Sequence, residues 1–437
     1  MSKQAWTVAF AFVGLTVGAG FASGQEVLQY FVSFGISGLW GAVLAAVIFS
    51  FAGMAIVQLG SYFLATNHNV VLAGVSRPLT SKIFDALITF TLFSIGFVMI
   101  AGGGSNLQQQ FGWPSWIGSA LITLAVITVG MLDVKRVTAV IGALTPVMVA
   151  FVVIAITYSL THIDAPFTRL DAVARTVEST LPNWPLSALN YVAMALSLAV
   201  SMTIVMGGDI TDPHAAGRGG LMGGMLFGLL LVATTIALFV NAPAVIGFDM
   251  PLLEVVNMIA PWLGLVMSLV IFVMIFNTAI GMYYALAKRF CYGSIPRFRM
   301  LIIVLSLIGF GLSFLGFTTL IGYLYPVIGY TGFFLIGLLV FSWVRSRPEI
   351  ETEYVRRQRI RHSLRDLLSP KRHLSRKGRA RLRRDLDASP ADSQALATSL
   401  AEELGAEYDD IPDYSPQAPV RFTTVDEIYP KDERPRN

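Results

Sequence analysis

At the centre of the first apolar run of the chain, residues 5–34, stands the sequence Val17-Gly18-Ala19-Gly20-Phe21-Ala22-Ser23-Gly24-Gln25-Glu26. A run of about 30 residues is too long for one straight membrane span, which needs about 20. Each glycine costs about 1 kcal/mol inside a helix, and Ser23 and Glu26 fit the S-x-x-E capping box with which helices begin. The sequence therefore predicts a helix that stops and restarts in the middle of a membrane.

Backbone groups freed by such a break are tolerated inside a membrane only where they line a cavity or meet a ligand. The N–H groups around Phe21 to Gly24 suit an anion such as a carboxylate, and the carbonyls that end the first half-helix suit a cation. An amino acid carries both charges. Close packing of helices at small residues is the alternative interpretation. The glycine spacing does not match a nucleotide-binding loop, and no strand precedes it.

Glu26 is the one carboxylate that the sequence places well inside the membrane, where ionisable groups are costly and usually functional. We expect it to carry a proton or to face the ammonium group of a substrate. The alternative is a structural role, in which the carboxylate only completes the capping box with Ser23.

The composition divides the chain into a membrane body and a tail. Hydrophobic residues make up 55% of the chain and charged residues 13%, too apolar for a soluble protein of this length. Only 22 of the 58 charged residues lie within residues 1–344. The single cysteine excludes an internal disulfide, and the five histidines fall outside the apolar runs, so we expect no metal or haem site in the body. We also expect no enzyme activity, since no His, Cys or paired carboxylates converge in the body as acid–base or metal chemistry would require.

The body contains ten apolar runs, five before and five after a mixed-charge segment. They lie at about 5–34, 39–63, 83–104, 115–132 and 137–160, and then at 187–208, 219–241, 261–288, 300–317 and 319–344. Ten Lys and Arg residues fall on one side of the membrane against Arg169 and Arg175 on the other, which predicts that both termini are cytoplasmic in a plasma-membrane protein. Five spans per half (5–160 and 187–344) invert the second half, as in many secondary transporters.

Polar residues in the second half complete the predicted site. The inverted plan calls for a break in the sixth span, and Ser197 and Ser201 mark the best position, although hydroxyls in a helix usually bond back to its own backbone. In the eighth span, Asn277 and Thr278 offer oxygens for a sodium ion beside the carbonyls of the first break. Ordinary hydrogen bonding between helices is the alternative.

The tail has two parts. Residues 345–386 are basic and fit either an amphipathic segment on anionic lipid or a solvated charge run. Residues 387–437 are acidic and rich in proline, which predicts disorder. Because the charges of the two parts nearly cancel, the net charge of the whole chain is only +4, and nothing indicates nucleic-acid binding.

The residues from Gly18 to Glu26, in a first helix of ten, resemble the uncharacterised YkvI-type membrane proteins, which are grouped with amino acid permeases. Through them the body resembles the amino acid, polyamine and organocation superfamily. The resemblance implies an all-α, LeuT-like 5+5 inverted repeat with broken first and sixth helices. It implies substrate contacts from Ala19, Gly20, Phe21, Ala22, Ser23, Gly24, Glu26, Ser197 and Ser201. For a coupling ion it implies Val17, Gly20, Asn277 and Thr278.

The sequence thus predicts a symporter that moves an amino acid or related small zwitterion with Na⁺ or H⁺ and needs no other cofactor. The alternative is a membrane sensor that binds the same kind of ligand and signals through its tail.

Overall fold

The computed structural model describes residues 3–75, 78–131, 138–163, 165–179, 181–368 and 375–409. These residues form nineteen α-helices and no strand. In chain order they are α1 (Lys3–Thr16), α2 (Ala19–Ser23), α3 (Gln25–Tyr30), α4 (Ile36–Phe63), α5 (His68–Val75), α6 (Pro78–Phe111), α7 (Ser115–Gly130), α8 (Thr138–Thr161), α9 (Phe167–Ala174), α10 (Trp184–Gly208), α11 (Pro213–Val240), α12 (Ala242–Val245), α13 (Pro251–Ile259), α14 (Pro261–Phe290), α15 (Ile295–Ser313), α16 (Phe317–Arg345), α17 (Arg347–Leu368), α18 (Arg376–Asp387) and α19 (Ser393–Asp409).

Seven of these helices are long and apolar enough to cross a membrane: α4, α6, α10, α11, α14, α15 and α16. α1, α7 and α8 contribute shorter apolar segments. The chain is therefore an all-helical, multi-pass membrane protein. Ten spans in two inverted halves remain a prediction.

The predicted break in the first helix is confirmed. α1 ends at Thr16, and the five-residue α2 begins after Gly18, whose backbone is extended. Gly24 then takes the left-handed conformation (φ +78°) between α2 and α3. Glycine adopts a positive φ without the steric cost that a Cβ would bring. The chain therefore turns twice within seven residues where three glycines occur.

Two groups of helices pack on either side of this break. α4 packs against α10 and α11, and α1 packs against α11, while α6, α7, α14 and α15 pack together as the second group. Small residues allow the closest approaches: a Cβ on Gly60 would lie 2.2 Å from the carbonyl oxygen of Ile204, and one on Gly207 would lie 2.1 Å from that of Val57. Such contacts are typical of helices that associate in lipid. The short helix α2 lies against α13 and α14.

The predicted break in the sixth helix is wrong. α10 runs without interruption from Trp184 to Gly208, and Ser197 and Ser201 lie within it. Its only glycines are the last two helical residues, and Pro185 lies in the first turn, where proline is well tolerated. The hydroxyl residues between them do not interrupt the hydrogen-bonded ladder.

The tail folds into helices and packs on the body. α17, α18 and α19 share an apolar cluster that includes Leu364, Leu386 and Leu400, with Leu64 at the C-terminal end of α4 beside it. Disorder was therefore wrongly predicted for residues 393–409, while residues 410–437 lie outside the described residues. In α17, Arg357 is only 2% exposed.

Arg357 holds α17 to the body through backbone carbonyls. Its guanidinium donates to the carbonyl oxygens of Ser61 and Thr211 (2.9 Å each) and Tyr62 (2.8 Å), and it pairs with Glu353 at 2.8 Å. Burial lowers the pKa of Arg357, and Glu353 opposes that shift. Arg357 therefore binds the protein itself and not lipid.

Candidate functional site

Glu26 lies where four helices meet. It is the second residue of α3 and is 6% exposed, and its Oε1 accepts a hydrogen bond from the hydroxyl of Tyr191 in α10 (3.0 Å). A Cβ on Gly20 of α2 would lie 2.5 Å from Glu26 Oε2 and 3.0 Å from the hydroxyl of Tyr325 in α16. Gly20 therefore leaves the space that the carboxylate occupies.

Polar groups next to Glu26 join α3, α10 and α16. The hydroxyl of Tyr30 donates to Asn190 Oδ1, and Asn190 Nδ2 donates to the carbonyl of Pro326, both at 3.0 Å. The hydroxyl of Ser187 donates to the carbonyl of Tyr30 at 2.6 Å. The sequence analysis missed these residues, although Ser187 and Asn190 are polar positions in an apolar helix.

The capping-box interpretation of Ser23 and Glu26 is wrong. Ser23 donates to the carbonyl of Gly20 (2.7 Å) and accepts from the N–H of Gln25 (3.1 Å), while Glu26 bonds to Tyr191. Gly24, which has no side chain, stands at the start of α3. The carboxylate of Glu26 is consequently not used to begin the helix.

The other predicted contact residues around the break fall into two groups. Some have backbone N–H groups without an acceptor, and others have side chains packed in the core. No backbone acceptor is found, among the described residues, for the N–H groups of Ala19, Gly20 and Phe21. The ring of Phe21 packs on Phe227 of α11 at 5.4 Å between centroids, and Ala22 is fully buried. A Cβ on Gly24 would meet Leu252 of α13 at 2.9 Å.

Ser197 and Ser201 lie further along α10 than the Glu26 cluster. Ser197 is six residues after Tyr191, or about 9 Å along a helix axis. Its buried hydroxyl has no hydrogen-bond partner and borders a small cavity that Thr91 of α6 and Thr331 of α16 also line. The structure therefore leaves Ser197 available for a ligand, but not beside Glu26.

Ser201 is engaged by another part of the chain. Its Oγ lies 2.8 Å from Nδ1 of His68 in α5. Burial lowers the pKa of His68, with a smaller lowering by Arg289 of α14 and an opposing effect of Asp85 of α6. Arg289 and Asp85 form an ion pair with each other. Ser201 thus belongs to a junction between the two helix groups.

The predicted ion ligands Val17, Gly20, Asn277 and Thr278 lie just after α1, in α2 and in α14. The hydroxyl of Thr278 donates to the carbonyl of Met274 in its own helix (3.0 Å), and Asn277 is half-buried beside it. Val17 is buried at the end of α1. The described residues include no group of three His, Cys, Asp or Glu side chains that could hold a metal ion. The sodium site remains a prediction.

A second group of polar contacts, the Asp249 layer, joins the residue pair before α13 to α6 and α16. Asp249 accepts hydrogen bonds of 2.5 Å from Ser105 of α6 and from Thr318 of α16. Gln29 of α3 donates to the carbonyl of Thr318 (3.2 Å). The side-chain oxygens of Gln25 and Gln29 are buried without a partner.

The chain is similar to two proteins of Bacillus subtilis (strain 168). It is 27% identical to the uncharacterized membrane protein YkvI over 339 residues, 76% of this chain and 94% of YkvI. It is 30% identical to the uncharacterized protein YyaD over 337 residues, 77% of this chain and 96% of YyaD. No model of a known protein family matches the chain.

Among solved structures, the chain resembles MhsT in complex with L-phenylalanine. The TM-score is 0.56 at 15% identity, and the likeness covers 92% of this chain and 99% of MhsT. At this identity the likeness shows a shared LeuT-like fold.

Proposed function

Because the chain belongs to the family of the proteins YkvI and YyaD and shares the fold of MhsT, we propose that it is a secondary active transporter. The proposed solute is an amino acid or related small zwitterion, carried with Na⁺ or H⁺ by alternating access. The solute crosses the membrane without chemical change, so the protein is not an enzyme. We place it in the plasma membrane with both termini in the cytoplasm.

The observation that carries this proposal is the break between α1 and α2 with Glu26 folded over Gly20. The free N–H groups of Ala19 to Phe21 favour a carboxylate, and the Glu26 carboxylate favours a proton or an ammonium group. The N–H groups that favour an anion and the carboxylate that favours a cation lie within eight residues, Ala19 to Glu26. The free N–H groups would hold the carboxylate of an amino acid, and Glu26 would supply either the ammonium contact or the coupling proton.

The remaining predicted ligands keep their proposed roles. Ser197 would contact the solute from α10, since its hydroxyl is buried and unpaired. Val17 and Gly20 would offer carbonyls, and Asn277 and Thr278 side chains, if the coupling ion is Na⁺. Thr278 can keep its donated bond to Met274 while the lone pairs of its hydroxyl oxygen bind the ion.

The direct test is the thermal stability of the purified protein with a panel of amino acids and amines, with and without Na⁺. A ligand that binds the folded state raises its stability. Gly20→Ala should abolish the shift, because the new Cβ would displace the Glu26 carboxylate. Gly18→Ala is the matched control, since its Cβ would meet nothing within 4 Å. Absence of any shift in folded wild-type protein would refute the proposed solute class.

A membrane sensor that signals through the tail is the second candidate. It is favoured by the docking of α17 on the body through Arg357. Removal of residues 347–437 separates the two candidates: transport should survive the deletion, whereas a signalling function should not.

We also propose that the exposed basic face of α17 and α18 contacts anionic lipid.

A further inference from the structure

Glu26 has no positive partner in the structure. Of the described residues, no Lys, Arg or His forms an ion pair with it, and its hydrogen bond comes from Tyr191. An ionised carboxylate can accept about four hydrogen bonds. A buried ion without compensation costs several kcal/mol. The carboxylate must therefore bind either a proton or a cation when the site is closed.

The groups that face Glu26 favour a proton over a metal cation. The titratable groups nearby are the hydroxyls of Tyr30 from α3, Tyr191 from α10 and Tyr325 from α16. α11 and α13 present Leu238 and Leu252 to the same turn of the chain. Sodium, like other hard cations, needs several oxygen ligands at once. A proton needs one carboxylate oxygen, and Oε1 can still accept from Tyr191.

Buried amide oxygens on the same helix provide a route for water. Gln25 and Gln29 are four residues apart on α3, so they lie on one face of the helix. Their side-chain oxygens are buried and unpaired, and such groups in proteins usually bind ordered water. Gln29 also contacts Thr318, next to the Asp249 layer. Water at these oxygens would form a polar path along α3 to the Asp249 layer.

We infer that Glu26 takes up and releases the coupling proton, so that the coupling ion is H⁺ rather than Na⁺. On the outer side, hydronium gives its proton to the carboxylate, which leaves a neutral carboxyl group and water. On the inner side, the carboxyl group returns the proton to water and becomes an anion. This inference rests on the proposed transport function and assigns Glu26 to the ion instead of the solute.

The test uses proteoliposomes with the full chain and a tritiated mixture of the standard L-amino acids. Wild-type protein should accumulate label under an outside-acid gradient without Na⁺. Glu26→Gln can still accept from Tyr191, so it should keep exchange of label but lose accumulation. Glu26→Asp should restore part of it. Glu254→Gln, a half-buried carboxylate of α13, is the control and should accumulate like wild type.

Infrared difference spectra on acidification give a readout that does not need the solute. A carboxyl signal present in wild type and Glu254→Gln but missing in Glu26→Gln supports the inference. An unchanged signal in Glu26→Gln overturns it, as does full gradient-driven accumulation by that variant or a strict need for Na⁺ in wild type. If wild-type protein moves no label in any gradient, the transport proposal fails, and the infrared result alone decides whether Glu26 binds a proton.

Discussion

Replacement of Arg357 by Ala should release the tail from the body. Arg357 makes three hydrogen bonds to carbonyls of the body and one ion pair with the fully buried Glu353. Removing one partner of a buried pair costs about 3–5 kcal/mol. Glu353 keeps Arg356 and the hydroxyl of Ser389 as partners, so we take the lower end, about 3 kcal/mol. At 1.4 kcal/mol per factor of ten, the undocked population should rise roughly a hundredfold.

Hydrogen exchange of peptides covering residues 205–216 and 353–368 measures this change, because undocking exposes amides on both sides of the contact. Arg359→Ala is the matched control. Arg359 lies in the same helix, but its pair with Asp385 is exposed (3.3 Å), and such pairs contribute about 0–1 kcal/mol. Equal exchange rates in Arg357→Ala and wild type, or an equal increase in Arg359→Ala, would refute the assignment of Arg357 as the docking residue.

Three further predictions concern the body. Gly24→Ala should lower the free energy of unfolding by about 1–3 kcal/mol, because Gly24 has φ +78° and the new Cβ would collide with α13. The melting temperature and the yield of folded protein should fall accordingly. Gly18→Ala, measured in parallel, should be close to neutral. Ser197→Ala should leave thermal stability unchanged, since the hydroxyl has no partner, but weaken the ligand-induced shift; an unchanged shift would remove Ser197 from the site. Burial lowers the pKa of His68, so its contribution to folding stability is present above the unfolded pKa of about 6.5 and is lost as the pH falls. His68→Gln should therefore reduce the fall in melting temperature between neutral and acidic pH. Identical pH profiles of the variant and the wild type would contradict this role of His68.

The sequence was sufficient to predict the first break because its cause is local. Gly18, Gly20 and Gly24 lower helix stability within a few residues, and the structure interrupts the helix at Gly18 and Gly24. Glu26 was found because a carboxylate in an apolar run is rare and costly. Its partner Tyr191 was not found, since that contact joins residues 165 positions apart.

The errors came from arguments without a local cause. The break in α10 was inferred from symmetry with the first helix, but Ser197 and Ser201 carry no backbone strain, and the helix continues through them. The order of α19 was missed because composition averages over the segment. Leu396, Leu400 and Leu404 repeat every four residues and are buried against α17 and α18. Arg357 could not be told from the other tail arginines by sequence, because its contacts join residues far apart in the chain.

The docking of α17 has a consequence for which substitutions it tolerates. The body offers Arg357 the carbonyl oxygens of Ser61, Tyr62 and Thr211, not their side chains. Every amino acid supplies a carbonyl, so the hydrogen bonds of Arg357 do not depend on which side chains stand at these three positions. The side chain of Thr211 adds a separate contact, because its hydroxyl donates to Glu403 of α19 at 2.7 Å. The side chains that the Arg357 contact requires lie in the tail, where Glu353 and Arg357 are four positions apart in α17.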